Sequence, residues 1–150
     1  MPSMITYKII EEYTPDVKGL VVLLCNEIDY VYYGNDIETS LQAMFKQESF
    51  VCAGAYDGGE LVGVIAFFVY PQLYNFEIVT ASEQFWYVLP SYRKGVGMDL
   101  VKYIENNLKV DTIEFGISNP RLMRLVERNG YRQKKTILEK VLVCAEEEDS

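Results

Sequence analysis

At 150 residues, 49% of them apolar and 13% aromatic, the chain is sized for one folded domain with a core and not for a disordered or fibrous polymer. Its formal charge of -8, from 22 acidic and 14 basic residues, disfavours nucleic-acid backbone binding; it suits a cationic substrate or simply serves solubility. No His is present, which excludes Ser-His-Asp and Cys-His nucleophile systems, and no apolar run approaches the ~20 residues that span a bilayer.

The opening MPSMITYKII carries neither a basic n-region nor a small-residue cleavage site, so the chain reads as cytoplasmic. Residues 4–13 read as a first strand. Thr14-Pro15-Asp16 then has the chemistry of a helix start, and Val17, Leu20, Val21, Leu24 and Ile28 follow at helical spacing. A connection over 29–34 leads to a second helix from Asn35 or Asp36, striped by Ile37, Leu41, Met44 and Phe45. Its tyrosines Tyr30, Tyr32 and Tyr33 serve either as an aromatic wall for a cationic amine or as apolar cover for a loop.

Next the period changes. Strands over 50–56 and 60–70 flank the turn Asp57-Gly58-Gly59, a hairpin whose second strand is almost continuously apolar and so central. Residues 71–81 read as a loop, and 82–90 as a strand stopped at Pro90. From Gly97 the helical period returns through Leu100, Val101, Ile104 and Leu108, before a strand over 112–118. Asn119-Pro120 opens a last helix that Gly130 closes, and 131–144 reads as a final strand before an acidic, disordered tail over 145–150. Residues 1–144 thus form one domain, β-α-α-β-β-β-α-β-α-β. Strands 82–90 and 112–118 must be parallel with a right-handed crossover, while the hairpin makes the rest antiparallel: a mixed sheet with helices on both faces. Cys25, Cys52 and Cys144 show no zinc-ligand spacing, so they read as reduced thiols and no metal is expected.

The most informative stretch is VLPSYRKGVGMDL, residues 88–100, a strand running through a glycine turn straight into a helix. Such a turn aims free amides and the positive end of the helix dipole at one point, which suits a pyrophosphate or is an ordinary strand-to-helix turn. Gly95 and Gly97 let the backbone approach an anion, and Arg93 and Lys94 add positive charge.

VLPSYRKGVGMDLVKYIE resembles the pyrophosphate-loop motif of the GNAT superfamily of acyl-CoA-dependent N-acetyltransferases. NPRLMRLVERNGYRQKKTILEKVL resembles that family's closing pattern, and DGGELVGVI the hairpin before the motif; together they cover residues 50–143. The spacing is most similar to small stand-alone members encoded by bacteriophages. The resemblance implies a GNAT-like fold in which strands 82–90 and 112–118 splay apart and the pantetheine arm of acetyl-CoA enters between them. It carries over Val88 to the arm, Arg93, Lys94, Gly95, Val96, Gly97 and Met98 to the diphosphate, and Asn119 to the thioester end. Asn119 is equally explained as a helix cap.

Two departures stand out. One residue, not two, separates Arg93 from the first glycine of the G-x-G, so either Tyr92 takes the Arg place or the turn is tighter. Val126 stands where many members carry a Tyr that protonates the departing thiolate, while Tyr131 matches a packing aromatic. Transfer to an amine needs a proton acceptor, because an alkyl ammonium is protonated at neutral pH. Glu83 is the candidate and Tyr87 the second; alternation puts both, with Phe85, on one face, opposite Ser82, Gln84, Trp86 and Val88, one step out of phase with the family's glutamate. The alternative for Glu83 is a solvated strand-end carboxylate, and for Tyr87 sheet packing.

The implied function is an N-acetyltransferase using acetyl-CoA as cosubstrate, by direct attack of the amine of a small molecule or protein. It would act as a monomer or homodimer with neither nucleic acid nor membrane as partner. The rival is a non-catalytic protein of this fold that binds a protein partner through its acidic surface, or a virion or assembly component.

Overall fold

The computed structural model describes residues 4–28, 36–140 and 142. Its elements are β1 (Ile5–Ile9), α1 (Pro15–Glu27), α2 (Ile37–Phe45), β2 (Phe50–Asp57), β3 (Glu60–Gln72), β4 (Asn75–Val88), a 3-10 turn (Pro90–Tyr92), α3 (Val96–Asn107), β5 (Thr112–Glu114) and α4 (Pro120–Arg128). The strands form one sheet in the order β1-β2-β3-β4-β5. The first four pair antiparallel, and β5 lies parallel to β4, as the βαβ reading required.

Each face of the sheet covers its own core. On one face α3 lays Leu100, Val101 and Ile104, all fully buried, against Val62, Ile65 and Phe67 of β3, and α4 adds Val126. Each buried side chain of this size is worth ~1.5–3 kcal/mol, enough to hold the start of α3 at the end of β4. On the other face α1 and α2 bury Val17, Leu20, Val21 and Leu41 over Val64, Ala66, Phe85 and Tyr87. The α4 ends are built as their residues foretell. The Asn119 side chain accepts from the amides of Arg121 and Leu122 at 2.9 and 3.3 Å. At the far end Gly130 takes φ +100°, and the amides of Gly130 and Tyr131 return to the carbonyls of Glu127 and Val126. Among the described residues no helix is long and apolar enough to cross a membrane.

Three expectations are corrected. Residues 71–81 are no loop: β3 and β4 continue as a hairpin whose turn is Leu73-Tyr74. Pro71 is accommodated beside a register shift between Pro71 and Gln72, where a strand tolerates a missing donor. The strand expected over 112–118 pairs only over Thr112–Glu114, and Gly116 falls just past its end. Finally, residues 131–140 and 142 form no strand. Arg132, Gln133, Lys134 and Lys135 are all exposed and offer no apolar face to bury, so nothing drives the segment onto the sheet. Cys144, the expected tail over 145–150 and Tyr30, Tyr32 and Tyr33 lie outside the described residues.

Candidate active site

The site grows from the point where β4 and β5 part. Their ladder has three rungs, Thr80↔Thr112, Ala81↔Ile113 and Ser82↔Glu114. Hydroxyls of Thr80 and Thr112 bond at 2.7 Å, Gln72 Nε2 donates to Thr80 at 3.0 Å, and the amide of Val79 donates to the Asp111 carboxylate at 2.8 Å. Past Ser82 the ladder ends, although β4 runs on to Val88.

At that point β4 also changes phase. Phe67 faces Glu83 but Ala66 faces Phe85, so Gln84 is an extra residue, a bulge. Glu83 therefore shares the face of Phe67 and Ala81, that of α3, whereas Phe85 and Tyr87 turn to α1 and α2. This corrects the alternation that grouped Glu83 with Phe85 and Tyr87. The strand was treated as regular, and one inserted residue re-aims every side chain before it.

Glu83 Oε1 accepts from the Gly116 amide at 3.2 Å, across the opening between β4 and the chain leaving β5. Burial pushes its carboxyl up to about 7, and the Gly116 bond holds it down only in part. The walls on its face are aromatic: Phe115 packs on Phe67 and Trp86 with ring centroids 5.8 and 5.2 Å apart. A carboxyl poised near 7 among such walls suits proton transfer at neutral pH.

The turn after β4 makes the second half. Leu89 donates to the Val62 carbonyl of β3 at 2.9 Å, so alternation turns the main-chain groups of Val88 toward the opening. Tyr92 bonds the Asp57 carboxylate at 2.5 Å, pinning the 3-10 turn to the β2–β3 hairpin. Gly95 then takes φ +100°, a conformation that favours glycine, and α3 begins at Val96. Among the described residues, the amides of Lys94, Val96, Gly97 and Met98 have no acceptor. The turn thus presents four donors at the positive end of a helix, a ready anion site.

Not every expected group is free to join them. Arg93 donates through Nε to the Val88 carbonyl and through Nη2 to Glu27 Oε2, both at 2.8 Å, and lies 5.2 Å over the Tyr87 ring. Tyr87 is buried, donates to Glu27 at 2.7 Å, and has its phenol pushed up by burial and by Glu27. Asn119 spends its side-chain oxygen on capping α4. Val126 is core, and Tyr131 packs on Phe115 while donating to Glu105 at 2.6 Å.

Sequence reasoning missed Glu27 and Gly116. A carboxylate closing a helix opposes the dipole and so asks for a partner, which was the available signal for Glu27. A lone glycine inside an expected strand was the signal for Gly116.

Residues 18–131 match the family described as acetyltransferase (GNAT) family. No curated protein matches the chain in sequence. Among solved structures, it is similar to the aminoglycoside acetyltransferase meta-AAC0020 from an uncultured soil metagenomic sample, at 14% identity and TM-score 0.75 over 93% of this chain and 96% of that one. Ribosomal-protein-alanine N-acetyltransferase from Brucella melitensis biovar Abortus 2308 aligns at 12% identity and TM-score 0.74, over 93% and 99%. Aminoglycoside N-acetyltransferase AAC(6')-Iy, solved in complex with CoA, aligns at 14% identity and TM-score 0.73, over 96% and 98%. At these identities the likeness is one of fold.

Proposed function

This chain belongs to the GNAT acetyltransferase family, whose cosubstrate is acetyl-CoA, and from that premise we propose that it transfers the acetyl group to the amine of a cationic acceptor with Glu83 as general base. The observation that carries this reading is Glu83 itself. It is a carboxyl held near 7, facing the opening where β4 loses its partner.

In this reading the amides of Lys94, Val96, Gly97 and Met98 hold the diphosphate, with Gly95 shaping the turn and Lys94 adding charge. The main chain of Val88 serves the pantetheine arm. Glu83 takes a proton from the acceptor ammonium, directly or through one water, and the neutral nitrogen attacks the thioester carbonyl carbon. A C–N bond forms, the C–S bond breaks, CoA leaves as a thiolate, and the second proton that the nitrogen sheds on becoming an amide passes to solvent. With Val126 in the core and Tyr131 engaged with Glu105, neither position offers a free phenol to that thiolate. None is required, since a thiol of pKa near ~8.5 leaves unassisted. Tyr87 and Asn119 are left out of the machinery, because their polar atoms already serve Glu27 and the α4 cap. The net charge of -8 favours a cationic acceptor, a small amine or a basic peptide.

The test is thermal stabilisation by acetyl-CoA, followed by CoA release across a panel of small amines, aminoglycosides and basic peptides. Acetyl-CoA should raise the midpoint, and Gly97→Glu should abolish the rise. A Cβ at Gly97 meets only the Trp86 ring at 3.5 Å, an ordinary contact, so the position tolerates a side chain whose carboxylate would repel the diphosphate. No rise in the parent protein at millimolar acetyl-CoA removes the ligand from the account.

A further inference from the structure

Arg93 stands beside the free amides of α3, yet its guanidinium turns the other way. It caps the Val88 carbonyl, pairs with Glu27 and covers the Tyr87 ring. Glu27 is the last residue of α1, where the helix presents its negative end. Two donors offset that placement, the Tyr87 phenol at 2.7 Å and Arg93 at 2.8 Å, and both bond the same oxygen, Oε2. The clasp therefore ties α1 to the loop and does so on top of a main-chain acceptor that points into the opening. The side chains of Arg93 and Glu27 are each 45% exposed, so the pair is one that solvent and a stronger anion can part.

The geometry points to Glu27 as a positioning residue for coenzyme binding. Its carboxylate and the coenzyme's diphosphate compete for Arg93, and the coenzyme arm competes with Arg93 for the Val88 carbonyl. This inference rests on the acetyl-CoA reading above. A diphosphate at the amides of Val96, Gly97 and Met98 places two negative charges near a guanidinium that one carboxylate now holds. Moving Arg93 to that anion frees the carbonyl for the arm, so one displacement serves both contacts. Glu27 acts only through Arg93, and its removal should help the coenzyme and not hinder it.

The experiment is a calorimetric titration of acetyl-CoA into the parent protein, Glu27→Gln, Arg93→Gln and the double variant, at neutral pH and low salt. Glu27→Gln should tighten binding about two- to fivefold, the range open to an exposed ion pair. On the Arg93→Gln background the same change should do nothing, since the group it acts through is gone. Unchanged or weaker binding in Glu27→Gln overturns the proposal, for the clasp would then be a brace that helps the site. Equal tightening on both backgrounds also overturns it, because Glu27 would act as a bare repulsive charge. Absence of binding in the parent protein, by contrast, removes the acetyl-CoA reading and this inference with it.

Discussion

The two halves of β4 differ in what stands along their β5 edge. From Thr80 to Ser82 the strand has a parallel neighbour and a closed set of side-chain bonds. From Glu83 to Val88 it has only β3, and its open edge carries a raised carboxyl at one end and a capped carbonyl at the other. Residue types alone do not explain the contrast, for each half carries a β-branched residue, Thr80 in one and Val88 in the other. Two local events do: the Gln84 bulge re-aims the side chains, and β5 stops at Glu114 before Gly116. A strand becomes a site where its ladder is withdrawn while one face stays buried.

The comparison breaks most sharply at Glu83. Glu83→Gln should lower turnover at pH 7 by about 100-fold, within the usual range for losing a general base, and leave the acetyl-CoA dissociation constant in place. Steady-state release of CoA, with calorimetry for binding, separates the two quantities. Equal losses in both would make Glu83 a binding group.

The closed half should answer oppositely. Thr80→Val removes the acceptor of Gln72 and the partner of Thr112, at a residue 1% exposed, and should cost about 2 kcal/mol in a urea melt. The Michaelis constant for acetyl-CoA should stay within twofold. A large kinetic effect would mean that the two halves are not separable.

A smaller effect has a definite sign. The folded Glu83 carboxyl lies near 7, above the ~4.3 of an unfolded chain, so the folded state binds the proton more tightly. Stability from this group is complete below about pH 4 and is lost as pH rises to 7. Glu83→Gln should therefore gain stability on the parent protein as pH rises from 4 to 8. Thermal melts at the two pH values decide it. Smallest of all is Lys134→Ala. Its ion pair with Glu114 is 2.7 Å long but the lysine is 60% exposed, and the denaturation midpoint should not move.

Much of this was legible before any coordinates. The β-α-α-β-β-β-α-β-α order, the parallel pairing across α3, the glycine turn and the Asn119 and Gly130 caps all follow from patterns whose cause is local. What escaped was set by neighbours distant in sequence. The bulge at Gln84 shows only against β3, and Pro71 argued for a loop where a register shift absorbs it. Residues 131–140 form no strand because Arg132 to Lys135 lack an apolar face, a pattern visible in the sequence itself. Glu83 was assigned to the wrong face, because regular alternation ignores the bulge at Gln84.

The central claim is that Glu83 accepts the acceptor's proton. The most direct measurement is the pH dependence of kcat/KM for the acceptor, from pH 5.5 to 9, in the parent protein and Glu83→Gln, with the amine of the panel that gives the fastest CoA release. The account predicts that the parent profile rises through one ionisation near 7, and that the variant loses this step and climbs only toward the amine's own pKa, where solvent removes the proton. Superimposable profiles, or no turnover with any amine by a parent protein that binds acetyl-CoA, would contradict it.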